Sequence, residues 1–213
     1  YVTFGRGQKN LVLLPGLVDG LRTVKGQALN LAFFYRKFAK KNRVYIFSRP
    51  EKLAEGCTIK DMANDLAVAF GILGIEKAFV MGVSQGGMIA QRLAIGYPHR
   101  VEKLILAVSI SRPNDVMRGT VNSWIAMAQK GDAKALIVDT MEKVYSPERL
   151  RLYRSAYPLI WRVGKPKSFE RFLVQAEACL TDSTYDELDR ITCPTFVVGG
   201  DCDVVVGAQA SPE

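Results

Sequence analysis

Runs of continuously apolar, β-prone residues alternate with segments whose apolar positions recur at helical spacing, and this alternation limits the possible folds more than any other feature. The strand-like runs are residues 10–14, 43–47, 77–83 and 103–108. Between them Leu29, Ala32, Phe33 and Tyr35-Arg36 fall at helical intervals. Thr58 with Asp61 three residues on has the form of a capping box, opening a helix that carries Met62, Leu66, Ala69 and Phe70 on one face and stops near Gly74. A further helix is expected from Gln85 to about Gly96. Strands that are apolar on both sides must be covered on both sides. The expected class is therefore α/β, a mostly parallel central sheet with helices on both faces. Ahead of it, residues 1–4 alternate like a strand and Gly5-Arg6-Gly7 turns, which predicts a hairpin with the strand at 10–14.

From Pro113 to about Arg190 the alternation stops. This segment reads as helices punctuated by Gly131, by Ser146-Pro147, by Ser168, and by Thr184 with Glu187 as a second capping box. Strand character resumes at 194–198 and runs into Gly199-Gly200-Asp201-Cys202-Asp203. The expected organisation is a core of residues 1–112 and 191–213 with a helical cap inserted at 113–190. A chain of 213 residues is of the size for one such domain.

Composition narrows the partners. The net charge of +8 is concentrated at Arg36, Lys37, Lys40, Lys41 and Arg43, which read as the solvated face and last turn of an amphipathic helix. No aromatic platform or nucleic-acid motif accompanies them, so nucleic acid is not expected as a partner. No run approaches the roughly 18 apolar residues of a spanning helix, the longest being 104–108, so no membrane partner is expected. Cys57, Cys179, Cys193 and Cys202 have neither metal spacing nor disulfide-scaffold density, which fits a reducing compartment, the cytoplasm. Metal and cofactor are both expected to be absent. The chain opens at Tyr1 in mid-strand, so a targeting segment ahead of it stays open. Oligomeric state is not legible.

The chemistry concentrates at Gly82-Val83-Ser84-Gln85-Gly86, between an apolar strand and a helix. A turn that tight leaves no room for side chains at Gly82 and Gly86, and it demands a strained backbone at Ser84. The helix N-terminus behind Ser84 favours negative charge developing on an attacked carbonyl oxygen. A phosphate-cradling loop would want Lys after its last glycine, and Met88 stands there.

This elbow, the following "GYPHRVEKLILA" and the later "CPTFVVGGDCD" resemble the α/β-hydrolase superfamily over nearly the whole chain. The resemblance implies Ser84 as nucleophile and the backbone N–H groups of Gln85 and Leu17 as oxyanion-hole donors. Leu17 follows Pro15-Gly16, where such proteins commonly have His-Gly. Asp203, after Gly200 and before Val204-Val205, is implied as the acid of the triad, with Asp201 and Asp115 as alternatives. Residues 48–57, "SRPEKLAEGC", depart from the Asp-x-x-Gly-x-Gly-x-Ser-like loop of relatives, so substrate class does not carry over. Trp124, Met127 and Trp161 are candidates either for the pocket lining or for the core of the helical segment.

A serine nucleophile needs a base, and the only histidine is His99. One helix separates the two, which sets them about 18 Å apart at 1.5 Å per residue, against the roughly 3 Å of proton transfer. In the hydrolase order the histidine follows the acid after another helix and strand. Ten residues follow Asp203, and Ser211-Pro212-Glu213 has the form of a helix start, so the base is expected beyond Glu213 in a chain cut at both ends. Two functions follow. One is a serine hydrolase, carboxylesterase- or lactonase-like, acting on an ester, thioester, lactone or related acyl bond; carbon-carbon hydrolysis and cofactor-free haloperoxidase-like chemistry would use the same machinery. The other is a ligand-binding protein that kept the fold and lost the base.

Overall fold

In the computed structural model, which describes residues 1–210, the apolar runs form one six-stranded sheet. The core elements are β1 (Val2–Phe4), β2 (Lys9–Leu14), α1 (Ala28–Phe34), α2 (Arg36–Ala39), β3 (Asn42–Ile46), α3 (Ile59–Ile72), β4 (Ala78–Val83), α4 (Gln85–Gly96) and β5 (Val101–Ala107). Then come α5 (Asp115–Gln129), α6 (Ala133–Val144), α7 (Pro147–Tyr153), α8 (Tyr157–Gly164) and α9 (Glu170–Thr181), and the sheet closes with β6 (Thr195–Val198). The strand order is β1-β3-β2-β4-β5-β6, parallel from β3 to β6 with β1 antiparallel at the edge. The helix start expected at Ser211-Pro212-Glu213 lies outside the described residues.

Side chains of β2 go alternately to opposite faces, and both faces are buried. Val12 and Leu14 join a large cluster with α3, α4, α5 and α9, whereas Leu11 and Leu13 join Val44 and Ile46 under α1 and α2. The α3 capping box forms as expected. The Asp61 N–H donates to Thr58 Oγ1 at 3.1 Å and the Thr58 N–H to Asp61 Oδ2 at 2.9 Å. At its other end Gly74, with φ +65°, lets the Ile75 N–H reach Phe70 O at 2.8 Å and so closes the last turn.

Three local expectations are corrected. The hairpin does not form: β2 is paired on both edges, with β3 and β4, so β1 pairs antiparallel with β3 instead, Val2 opposite Ile46. The helix expected around residues 29–38 is split at Tyr35, and the line it packs on the sheet is the half-buried Leu31, Tyr35 and Ala39, leaving Leu29 and Phe33 exposed. Thr184 does not cap with Glu187. Its hydroxyl donates to Gln91 Oε1 at 2.5 Å, and Glu187 instead accepts from Arg92 at 2.8 Å. These bonds hold the end of the helical segment to α4, beside a second Arg92 bond to Asp182 at 2.8 Å. Among the described residues no helix is long and apolar enough to cross a membrane.

Candidate active site

The turn from β4 into α4 is as tight as the glycines require. A Cβ on Gly82 would lie 2.2 Å from Gly86 O, and one on Gly86 would lie 2.1 Å from Leu14 O. Between them Ser84 has φ 52° and ψ −122°, a conformation rare for a residue with a side chain. Three hydrogen bonds enforce it. The Ser84 N–H donates to Ala107 O at 2.9 Å, and Ser84 O accepts from the Gly87 N–H at 2.7 Å and from Ser109 Oγ at 2.8 Å. Gly87 belongs to the same device, because a Cβ there would stand 2.2 Å from Ser109 Oγ. Nearby, Val108 also has positive φ, at 46°, a second strained residue at the edge of the site.

Ser84 opens on a small, largely apolar cavity of about 20 Å³ shared with Leu17, Gln85, Trp124, Cys179 and Val206. That volume holds little more than a water molecule. Trp124 therefore lines the site, with its Nε1 anchored to Asp139 Oδ2 at 2.7 Å, while Met127 packs on the core and neither it nor Trp161 lines this cavity. Gly16 comes close enough that a Cβ on it would be 3.3 Å from Ser84 Cβ. Leu17 opens a 3-10 turn, Leu17–Gly20, and Gln85 opens α4. First-turn N–H groups have no acceptor within their own helix, so both flanks of Ser84 carry donors of this kind.

Asp203 lies in the turn after β6, half-buried, with Oδ1 accepting from the Val205 N–H at 2.8 Å and the Val206 N–H at 2.9 Å. Val205 and Val206 line the Ser84 cavity, and Asn114 Nδ2 donates to Val206 O at 2.8 Å, so α5 holds this loop in place. Asp201 is exposed beside Cys202, and Asp115 is exposed in the first turn of α5. His99 is exposed in the turn Pro98–Arg100, beyond the opposite end of α4 from Ser84. The fold thus gathers Ser84, Leu17, Gln85 and the Asp203 loop, and leaves His99 outside.

A buried polar network beneath the cavity escaped sequence reasoning. Arg49 comes from the loop after β3 and is only 6% exposed. Its Nη2 donates to Pro15 O at 2.7 Å, to Gly16 O at 3.2 Å and to Gln85 Oε1. Gln85 Nε2 passes the chain of bonds on to Gln175 O at 2.8 Å and Cys179 Sγ at 3.2 Å. Asp19, also buried, accepts from the Arg49 N–H at 3.2 Å and pairs with Arg171, which donates as well to Arg49 O at 2.9 Å. Burial lowers the Arg49 pKa to about 10, against the opposing pull of Asp19, so the guanidinium stays charged at neutral pH. Burial pushes the Cys179 thiol up to about 12, although Gln85 and Arg49 pull it down, so it is a neutral thiol and not a nucleophile. The one clue in the sequence was an arginine three residues past the end of β3, in a loop of unfamiliar pattern.

A larger cavity, of about 580 Å³, lies between the end of the 3-10 turn, residues 51–53 and the start of α9, and shares no lining residue with the Ser84 cavity. Its charged lining residues are mostly basic, Arg22, Lys52, Lys165, Lys167 and Arg171 against Glu51 and Glu170. Volume alone would favour it, yet the strained serine and the free helix-start amides are at the smaller one. Among the described residues no group of three or more His, Cys, Asp or Glu side chains could hold a metal ion.

A family model described as alpha/beta hydrolase fold matches residues 10–213. The chain is 46% identical over 55 residues to a homoserine O-acetyltransferase of Thermus thermophilus, covering 26% of this chain and 14% of that protein. It is 30% identical over 125 residues to epoxide hydrolase 1 of Caenorhabditis elegans, covering 58% of this chain and 31% of that one. The chain therefore spans under a third of the length of these two curated relatives. Among solved structures, MGS-M2, an alpha/beta hydrolase enzyme from a Medee basin deep-sea metagenome library, superposes with a TM-score of 0.84 at 19% identity, over 99% of this chain and 78% of that one.

Proposed function

The chain belongs to the alpha/beta hydrolase fold family, and from that premise we propose that it is a serine hydrolase cleaving an ester, thioester, lactone or related acyl bond of a small molecule. The observation that carries the reading is the strained Ser84, held at the C-terminal edge of the sheet with helix-start amides on both flanks and a cavity in front. In this reading Ser84 Oγ attacks the acyl carbon, and the carbonyl π electrons move onto oxygen. The N–H groups of Leu17 and Gln85 stabilise that oxyanion. A histidine outside residues 1–213 takes the serine proton and returns it to the leaving group. Asp203 fixes that histidine's tautomer, and water then releases the acyl group. Helices α5–α9 act as the cap, with Trp124 closing the pocket. The likeness to an O-acetyltransferase favours a second outcome for the same acyl-enzyme, transfer to an alcohol in place of water.

The test is intact mass of the full-length protein before and after a fluorophosphonate probe, with the adduct mapped by peptide sequencing. An adduct on Ser84, lost in Ser84→Ala, is the expected result. Asp203→Asn should lower turnover of an activated ester by orders of magnitude. Unlabelled full-length protein refutes the proposal in favour of a ligand-binding role, and hydrolysis that survives in Ser84→Ala removes Ser84 from the mechanism.

A further inference from the structure

The peptide between Gly16 and Leu17 is a planar trans unit, so its N–H points opposite to its C=O. Whatever grips Gly16 O therefore aims the Leu17 N–H. Two donors grip it: the Asp19 N–H at 3.1 Å, from within the same short turn, and Arg49 Nη2 at 3.2 Å, from the loop after β3. The same nitrogen holds Pro15 O at 2.7 Å and Gln85 Oε1. One guanidinium thus spans the two segments, 15–17 and 85, whose amides flank Ser84. We infer that Arg49 is a positioning residue that sets the two oxyanion-hole donors at their working separation.

The inference rests on the reading of Leu17 and Gln85 as those donors, and goes beyond it by naming what holds them. Three physical points support it. A cation bonded to Gly16 O polarises the amide and makes its N–H a stronger donor, by the cooperativity that links successive hydrogen bonds. The site is dry, Arg49 and Gln85 being 6% and 2% exposed, so the charge acts with little screening. The arginine is itself fixed from outside the site, since its own N–H and C=O are held by Asp19 and Arg171. Lysine's stem is one bond shorter than the path to Nη2, so its ammonium would fall short of the three acceptors that this nitrogen holds.

The experiment compares full-length wild type with Arg49→Met, Arg49→Lys and Arg171→Met. Arg171→Met loosens Asp19 and the same loop without removing a bond to Gly16 O or Gln85. Steady-state kcat and KM are read on an activated ester, together with Kd for a boronic acid that mimics the tetrahedral intermediate. Loss of a well-aimed oxyanion donor costs on the order of 10²–10³ in kcat. Arg49→Met should show a loss of that order with KM changed only a few-fold, and a matching loss of boronate affinity. Arg49→Lys, which keeps a cation for Asp19 should the methionine variant fail to fold, should still lose at least about tenfold in kcat. Arg171→Met should lower Tm with a much smaller effect on kcat. If an active wild type tolerates both Arg49 variants, or if Arg171→Met costs kcat as much as they do, Arg49 is only structural and this inference falls alone. A full-length wild type with no turnover and no Ser84 adduct overturns it together with the proposed function.

Discussion

Gly86→Ala puts the geometry of the elbow to a quantitative test. The new Cβ would stand 2.1 Å from Leu14 O and 2.7 Å from both Leu14 C and Pro15 O. Even a close C–H···O contact keeps carbon and oxygen about 3.3 Å apart, so the clash is about 1 Å deep. Every atom it meets is backbone at the end of β2, and β2 is locked on both edges, with Leu13 opposite Ile46 and Leu14 opposite Gly82. Relief therefore requires α4 and β2 to part. Overpacking costs about 1–3 kcal/mol, and a clash with paired backbone belongs at the top of that range. For a domain of this size about 3 kcal/mol lowers Tm by roughly 6–12 °C. Because Pro15 O and the following peptides carry the Leu17 amide, a shift of about 1 Å should also cost on the order of 10²-fold in turnover. The control is Gly119→Ala in α5, where a Cβ meets nothing within 4 Å and the backbone is helical. It should stabilise by about 0.5–1 kcal/mol. Calorimetry and ester hydrolysis on both full-length variants decide the matter. A Gly86→Ala protein melting within a degree of wild type, with undiminished turnover, refutes the steric account.

Two further outcomes follow from buried ionisable groups. Burial holds the Asp182 carboxyl above its ordinary value, against the pull of Arg92, so the folded state binds this proton more readily than the unfolded one and stability falls as pH rises through that interval. Removing the opposing cation raises the folded value further. Arg92→Met should therefore destabilise more at pH 7 than near pH 4, as read by urea unfolding; a loss independent of pH would mean that Arg92 acts by packing alone. Cys179, buried and with its thiol pushed up to about 12, should resist iodoacetamide in the native protein at pH 8 and react once the chain is unfolded. Native labelling at Cys179, located by peptide mass, would contradict the closed packing of α9.

What could be read in advance was whatever is decided within a few residues. The Thr58–Asp61 box needs only its own turn, and it formed. The glycines at 82 and 86 were legible because an elbow brings strand and helix backbones together whatever surrounds them. Gly87 was not, since its constraint is Ser109, which arrives from the far end of β5. Thr184 and Glu187 carried a correct local signature and still formed no box, because Gln91, buried, and Arg92, half-buried, on α4 offered both side chains other partners. The hairpin failed for a related reason: which edge of β2 is free depends on the whole sheet.

Arg49 shows the same division at the site itself. An arginine is ordinarily exposed, and its burial here depends on carbonyls of Pro15 and Gly16, an amide of Gln85 and a carboxylate of Asp19, groups that only the finished fold collects. A strained turn can announce a nucleophile from sequence because its geometry is local. The groups that aim charge at the reacting centre are drawn from separate segments, and their cost of burial is offset only when all of them meet. If Ser84 is the nucleophile proposed above, the loop at residues 48–57 bears on the chemistry as well: through Arg49 it supplies a charge bonded to the segments on both flanks of Ser84.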